Sequence, residues 1–250
     1  MRLTKYPEYV AKKLLKKWPK GIIRFFQFWG DYAKYRKAND GRFKLSPRNA
    51  YLCLYDNTTQ TPFDQHYTYH PAWAARKLAE LRPEWHVDIS SILHFSTIVS
   101  AFIPIRFYDY RPAAVKLPGL ESGAADLVQL HFESNSIPSL SCMHTIEHIG
   151  LGRYGDPIDP RGDLKAANEL KRVLKPGGHF LFVTPVGKPK IEYNAHRIYS
   201  FEQVMEMFSG LDLVEFSLVP DSGELIENAD PARVSQQIYG CGCLLFKKPA

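Results

Sequence analysis

Residues 164–185, LKAANELKRVLKPGGHFLFVTP, constrain the fold of this chain more than any other stretch. Leu164, Ala167, Leu170, Val173 and Leu174 make one helical stripe, with Lys165, Glu169, Lys171 and Arg172 mostly elsewhere. Pro176 and the Gly177–Gly178 pair end that helix. The run HFLFVTP that follows reads as a strand buried on both faces, which places it inside a parallel sheet. Helix, turn and buried strand together imply a β-α-β unit with a right-handed crossover. Immediately upstream, HTIEHIGLGRYGDPIDPRGD supplies a polar, histidine-bearing strand end and a loop crowded with Gly, Pro and Asp.

The 250 residues suffice for one α/β body with a sizeable core and an extra N-terminal segment, and 45% hydrophobic with 23% charged residues is ordinary for a globular protein. The formal charge of +6 is unevenly spread. Residues 1–50 hold 14 Lys and Arg against three acids, a balance of +11, which leaves 18 basic and 23 acidic residues, or −5, for the rest. Cys53, Cys142, Cys241 and Cys243 fit neither a paired CxxC zinc site nor a secreted disulfide scaffold, so the reading is reduced thiols in a cytoplasmic protein. No signal peptide and no uninterrupted apolar run of ~18 residues stands out.

In chain order, residues 1–44 form a basic, aromatic-rich arm that Pro19 and Gly21 are expected to break into two short helices. Such an arm suits either peripheral contact with the inner face of a membrane or packing on the body or on a second copy in a homodimer. Nucleic acid is not expected as a partner, since no helix-turn-helix or RNP signature accompanies the arm. In the body, residues 45–250, LCLYD (52–56) is the first expected strand and residues 70–83 a helix facing a sheet with Trp73, Leu78 and Leu81. WHVDISS is a strand running into a glycine-free turn, ILHFSTIVSAFI a helix, and IRFYDY a strand ending in Asp109, 21 residues after Asp88. That interval is close to the one separating the first turn from the ribose-binding acid in dinucleotide folds. A Pro/Gly-containing loop leads to Asp126 and Leu127, and NSIPSLSCMHTIEHI is a further strand. After residue 185 come a polar, aromatic segment, a helix capped by Ser200, and two closing strands expected to pair as an antiparallel hairpin.

Three blocks, SIPSLSCMHTIEHI, ELKRVLKPGGHFLFVTP and AHRIYSFEQV, lie in the order found in class I S-adenosylmethionine-dependent methyltransferases, and residues 85–246 resemble that superfamily. The EHIGLGRYGDPIDPRGD loop is similar to that of an uncharacterised methyltransferase-like bacterial family. The resemblance implies a doubly wound, mostly parallel, seven-stranded Rossmann-like sheet with S-adenosylmethionine as cofactor. It implies that Asp88, Ser90 and Ser91 approach the methionine part, that Asp109 binds the ribose, that Asp126 and Leu127 flank the adenine, and that Met143 borders the sulfonium. The family's glycine-rich DxGxGxG is DISS here, so the turn lacks the residue that takes positive φ freely.

Methyl transfer from a sulfonium is an in-line displacement in which the protein positions the acceptor and, for a hydroxyl, removes its proton. His148 is the first candidate base, with Glu147 orienting it, and His144 and His196 follow. Arg153, Tyr154, Asp156, Asp159, Arg197 and Tyr199 are candidates for holding a sugar, glycan or other small acceptor; Arg153, Tyr154, Arg197 and Tyr199 can equally form an internal cluster. Asp156, Asp159 and Asp163 fit a structured lid that caps the 164–174 helix and pairs with Arg153 or Arg161, and the same acids can ligate Mg²⁺, although no metal is expected. The competing reading is a non-catalytic scaffold or binding protein on the same fold.

Overall fold

The computed structural model describes the backbone of residues 6–250 and the side chains of residues 20–250. The chain divides into two compact units, residues 1–62 and 63–250, so that residues 45–62 fall with the N-terminal segment.

In the first unit, α1 (Tyr6–Ala38) is one helix that runs through Pro19 and Gly21, where the sequence suggested two pieces. A helix of this length has enough turns on either side to absorb a proline cost of about 3 kcal/mol and a glycine cost of about 1 kcal/mol. Residues 52–56 form no strand. They lie extended and largely exposed, tied to α1 by Arg24, whose guanidinium donates to the Leu54 carbonyl at 3.2 Å and covers the Tyr55 ring. The pattern at 52–56 has β-propensity but finds no neighbouring strand to pair with, and an isolated strand does not hold in water.

The second unit is a sheet of seven strands in the order β3-β2-β1-β4-β5-β9-β8. Its members are β1 (His86–Ile89), β2 (Ile105–Asp109), β3 (Leu120–Ala124), β4 (Ile137–Met143), β5 (Leu174–Val186), β8 (Asp212–Val219) and β9 (Gly240–Lys247). The first five strands pair in parallel, while β9 runs antiparallel between β5 and β8, giving the expected antiparallel C-terminal pair. Strand β3 lies inside what reads in sequence as a Pro/Gly loop. Only Leu120 of its five residues is buried, because an edge strand covers little and so leaves a weak apolar signature. A small separate hairpin joins β6 (Lys190–Glu192) to β7 (His196–Ile198).

Helices cover both faces. One core cluster packs α4 (Gly162–Val173) and α5 (Phe201–Met207) on the sheet; the other packs α2 (Gln65–Leu81) and α3 (Leu93–Val99). On α4 the buried stripe is Ala166, Ala167, Leu170 and Val173, whereas Leu164 is 38% exposed and Leu174 already belongs to β5. The PGG turn enters β5 as a bulge: Ile137 pairs with Leu174 and Ser139 with His179, with Gly177 at φ 75°. The Ser200 cap is a full capping box with Gln203.

α2 begins five residues earlier than its apolar pattern suggests, with Asp64 accepting from the Tyr67 amide, and it continues through Pro71. It is clamped to β8 by one carboxylate: Glu215 accepts from the Trp73 indole at 3.0 Å and pairs with the Lys77 ammonium at 2.7 Å. Trp73 and Leu78 are fully buried beside this clamp, while Leu81 is only half-buried.

Under β1 runs a buried polar chain. His86 contacts the Ser139 and Ser141 hydroxyls through its two ring nitrogens at 2.7 and 2.9 Å, and Asp88 accepts from Ser141 at 2.6 Å and from Ser96 of α3. Burial pushes Asp88 up to about 6 against the pull of these hydroxyls. The native state therefore holds this proton more tightly than the unfolded chain, whose value is the ordinary 3.8. The contribution is fully present below the ordinary value and is lost as pH rises through the folded one. Asp88→Asn, which cannot ionise, is expected to lose about 2 kcal/mol less stability than the parent between about pH 4 and about pH 7. Denaturant titrations of both proteins at the two pH values measure the difference, and parallel profiles would refute it.

Candidate functional site

At the C-terminal edge of the parallel strands a cavity of ≈ 180 Å³ opens. It is lined by Ser90 after β1, by Asp109, Tyr110 and Arg111 at and after the tip of β2, and by Ala125, Asp126, Leu127 and Val128 after β3. From beyond β4 come His144, Thr145, His148, Ile149 and Gly150, then Tyr154, Asp156, Pro157, Asp159 and Gly162.

The turn after β1 achieves without glycine what the sequence suggested only glycine gives. Ser90 sits at φ 58° and His144, at the tip of β4, at φ 53°. A left-handed serine costs about 1–2 kcal/mol, and stitches across the two tips offset it. The Ser90 amide donates to the Tyr108 carbonyl at 2.6 Å, Thr145 Oγ1 to the Ser90 carbonyl at 2.8 Å, and the Met143 amide to Ser91 Oγ at 3.1 Å. Ser91 and Met143 are thereby committed to holding β1 against β4. Neither lines the cavity, and Asp88 is occupied in the buried chain beneath, so these three of the residues expected near the cofactor lie behind the cavity wall. Ser90, Asp109, Asp126 and Leu127 do line it. Asp109 accepts the Arg111 amide at 2.7 Å through Oδ1, and Asp126 likewise accepts the Val128 amide at 3.0 Å.

Beside the cavity a short 3₁₀ turn, Ile146–His148, gathers the titratable groups. Glu147 is buried with its Oε1 2.9 Å from His144 Nδ1 and 3.8 Å from His148 Nε2. Burial pushes Glu147 up to about 7, burial lowers His144 to about 4, and burial also lowers His148. Neutral imidazoles are thus the resting state near pH 7. His148 Nδ1 lies 2.6 Å from the Ala195 carbonyl, which fixes that nitrogen as the donor and leaves the lone pair on Nε2. His196 stands apart from the cavity, 3.4 Å from Glu192 and against the Tyr239 ring.

The loop that follows is a tied wall. Asp156 accepts the Gly150, Gly152 and Tyr154 amides; burial pushes its carboxyl up, and these amides more than reverse the effect. Asp159 pairs with Lys165 at 2.7 Å and accepts the Arg161 amide; Asp163 accepts the Tyr199 hydroxyl at 3.0 Å and lies 3.5 Å from Arg197 Nε. The acids therefore pair with Lys165 and Arg197, not with the guanidinium groups of Arg153 or Arg161, and no side chain caps α4. Arg197 in turn donates to the Ile149 carbonyl at 2.7 Å, so Arg197 and Tyr199 sit in an internal cluster outside the cavity lining, with Arg197 Nη2 left without a partner among the described residues. Tyr154 lines the cavity with the Arg111 and Arg153 guanidinium groups on its ring; Arg153 also reaches the Ala195 carbonyl at 3.1 Å.

Sequence reasoning missed the second layer around His144. The His66 ring stacks on it at 5.4 Å between centroids, Tyr67 at 5.3 Å and His70 edge-on at 5.0 Å, and Cys241 Sγ lies 3.4 Å from His144 Nε2. The signal was present as a histidine pair at i, i+4, which one helix face brings together. The apolar pattern, which begins only at residue 70, hides it, because the first turn of α2 is polar and aromatic. Gly150, at φ 80°, is the closest backbone approach in the wall: a Cβ there would overlap the Asp159 carbonyl. Gly150→Ala is expected to cost at least about 2 kcal/mol through both effects. Chemical denaturation tests this, and an unchanged midpoint would show that the loop tolerates displacement.

A family model described as a Caenorhabditis protein of unknown function, DUF268, matches residues 126–230. A search of curated proteins finds no match. Among solved structures, a Haloferax volcanii protein presented as a methyltransferase, in complex with the Trm112 methyltransferase activator, is 17% identical and covers 75% of this chain and 91% of its own, with a TM-score of 0.51. The N-methyltransferase NodS from Bradyrhizobium japonicum, in complex with S-adenosyl-L-homocysteine, is 12% identical, covers 75% and 90%, and also scores 0.51. A protein presented as a sarcosine dimethylglycine methyltransferase from Galdieria sulphuraria is 14% identical, covers 72% and 85%, and scores 0.51. With the strand order and the single antiparallel strand described above, the chain has the Rossmann-like fold of class I S-adenosylmethionine-dependent methyltransferases.

Proposed function

We propose that this protein is an S-adenosylmethionine-dependent methyltransferase acting on a hydroxyl of a sugar, glycan or other small acceptor. The observation that carries the reading is the convergence of Asp109, Asp126, Leu127 and His148 on one cavity at the edge of the parallel strands. The donor set fits the cofactor. Asp109 Oδ2 makes no hydrogen bond among the described residues and is available to ribose hydroxyls, while buried Ala125 and Leu127 offer an apolar bed for a purine. When bound, S-adenosylmethionine supplies the electrophilic methyl group.

The chain's own part is positioning and proton removal. His148 presents the lone pair of Nε2, because its Nδ1 proton is held by the Ala195 carbonyl, and burial keeps the ring neutral near pH 7. As Nε2 takes the acceptor's proton, the carboxylate of Glu147 at 3.8 Å stabilises the imidazolium that forms. Tyr154 on the cavity wall, with Arg111 and Arg153 over its ring, brings hydrogen-bond donors to where a sugar would lie. The basic N-terminal unit, with Ile22, Ile23 and Phe26 exposed, suits peripheral contact with an anionic membrane surface.

Isothermal titration with S-adenosylmethionine and S-adenosylhomocysteine tests the reading. Binding is expected, weakened at least about tenfold by Asp109→Ala, a loss of about 1.4 kcal/mol. Absence of heat at millimolar ligand would sink it in favour of a non-catalytic binding protein. Once an acceptor is found, His148→Ala is expected to lower turnover by about 10²–10⁴-fold while S-adenosylhomocysteine binds as before; full turnover would remove His148 as the base.

A further inference from the structure

Behind the β4 tip lies a cluster that methyl transfer does not use. His66 in the first turn of α2, His144 after β4 and Cys241 on β9 bring one ligand atom each to within 4.8 Å of one another. We infer that these three residues bind a zinc ion.

The tightest contact already has the spacing that two ligands of one zinc ion take. Bond lengths of about 2.3 Å to sulfur and about 2.0–2.1 Å to imidazole nitrogen, at a tetrahedral angle, set the two ligand atoms about 3.5 Å apart. Cys241 Sγ and His144 Nε2 are 3.4 Å apart. His66 has only to swing inward by about an ångström to complete the trio; it is partly exposed, which gives the ion access.

The second layer is also that of a metal site. His144 Nδ1 lies 2.9 Å from Glu147 Oε1, so the carboxylate takes the Nδ1 proton's hydrogen bond and leaves the lone pair on Nε2, on the side of Cys241. A carboxylate behind a ligating histidine fixes its tautomer and raises its basicity. Charge balances as well: one divalent cation, one thiolate, two neutral imidazoles and the Glu147 carboxylate sum to zero, which suits a buried site.

A separate observation points to unmet ligand capacity. His70 is fully buried and its Nδ1 is held by the His66 carbonyl at 2.7 Å, yet its Nε2 has no hydrogen-bond partner among the described residues. Its ring lies 5.0 Å from that of His144. Two imidazoles and a thiolate are a borderline-soft donor set, which favours zinc over the hard Mg²⁺ that the acidic loop suggested. Three protein ligands leave a fourth position for exchangeable water.

The test needs no methyl donor and is independent of the methyltransferase reading. The full chain carrying Cys53→Ser, which removes the exposed thiol, is made metal-free and dialysed against Zn²⁺, and separately titrated with Co²⁺. One equivalent of zinc should be retained, and Co²⁺ should give tetrahedral d–d bands with a thiolate-to-cobalt charge-transfer band. Cys241→Ser should abolish the charge-transfer band, His66→Ala should reduce zinc affinity at least tenfold, and Glu147→Gln should weaken it by about 10–100-fold. Cys243→Ser should keep the band. Absence of a charge-transfer band in the Cys53→Ser chain overturns the site whatever the variants do, and so does a band that survives Cys241→Ser.

Discussion

Everything at the functional edge depends on the pairing of β1, a four-residue strand held in parallel by β2 on one side and β4 on the other. Parallel pairing puts the C-terminal tips of all three on the same edge. The strand order turns at β1, so the connections leave in opposite directions and a crevice opens between them. So short a strand offers few ladder hydrogen bonds, and the buried run through His86, Ser139, Ser141, Asp88 and Ser96 adds side-chain bonds to β4 and α3. Satisfied throughout, such a run specifies register as well as adding stability.

The fold was largely legible because its central strands and helices repeat their signals. The apolar run at 179–185, the stripe on α4 and the Ser200 cap each agree with their neighbours. What escaped is local and explicable. Strand β3 buries one residue in five, and α1 continues through two residues that usually end helices. Of the site, the residues at strand tips could be read because topology alone places Asp109, Asp126 and His144 there. The roles of Ser91, Arg197 and Tyr199 could not, since a polar residue in sequence gives no sign of whether its partner is a ligand or a backbone amide. Ser91 Oγ accepts the Met143 amide, and Arg197 Nη1 donates to the Ile149 carbonyl.

The cluster around His144 shows the same limit from the other side. It draws residues from α2, from β4 and from β9, segments far apart in sequence, and α2 is brought there by the clamp of Glu215 on Trp73 and Lys77. Buried ion pairs of this kind contribute little net stability, yet breaking one is costly, so they fix orientation more than they strengthen a fold. Here the orientation carries the imidazoles of His66 and His70 to the tip of β4. Periodicity along α2 reports the apolar face but not the register at which the helix docks.

The wall from Gly150 to Asp163 is held by Asp156 on three amides, by Asp159 on Lys165 and by Asp163 on Tyr199. A loop ordered by its own contacts loses its conformational freedom when the chain folds, once, and not again at each encounter with a small molecule. Selectivity for any small molecule that enters the cavity then rests on shape that exists beforehand: one that does not match the standing contour gains nothing by waiting for the loop to adapt.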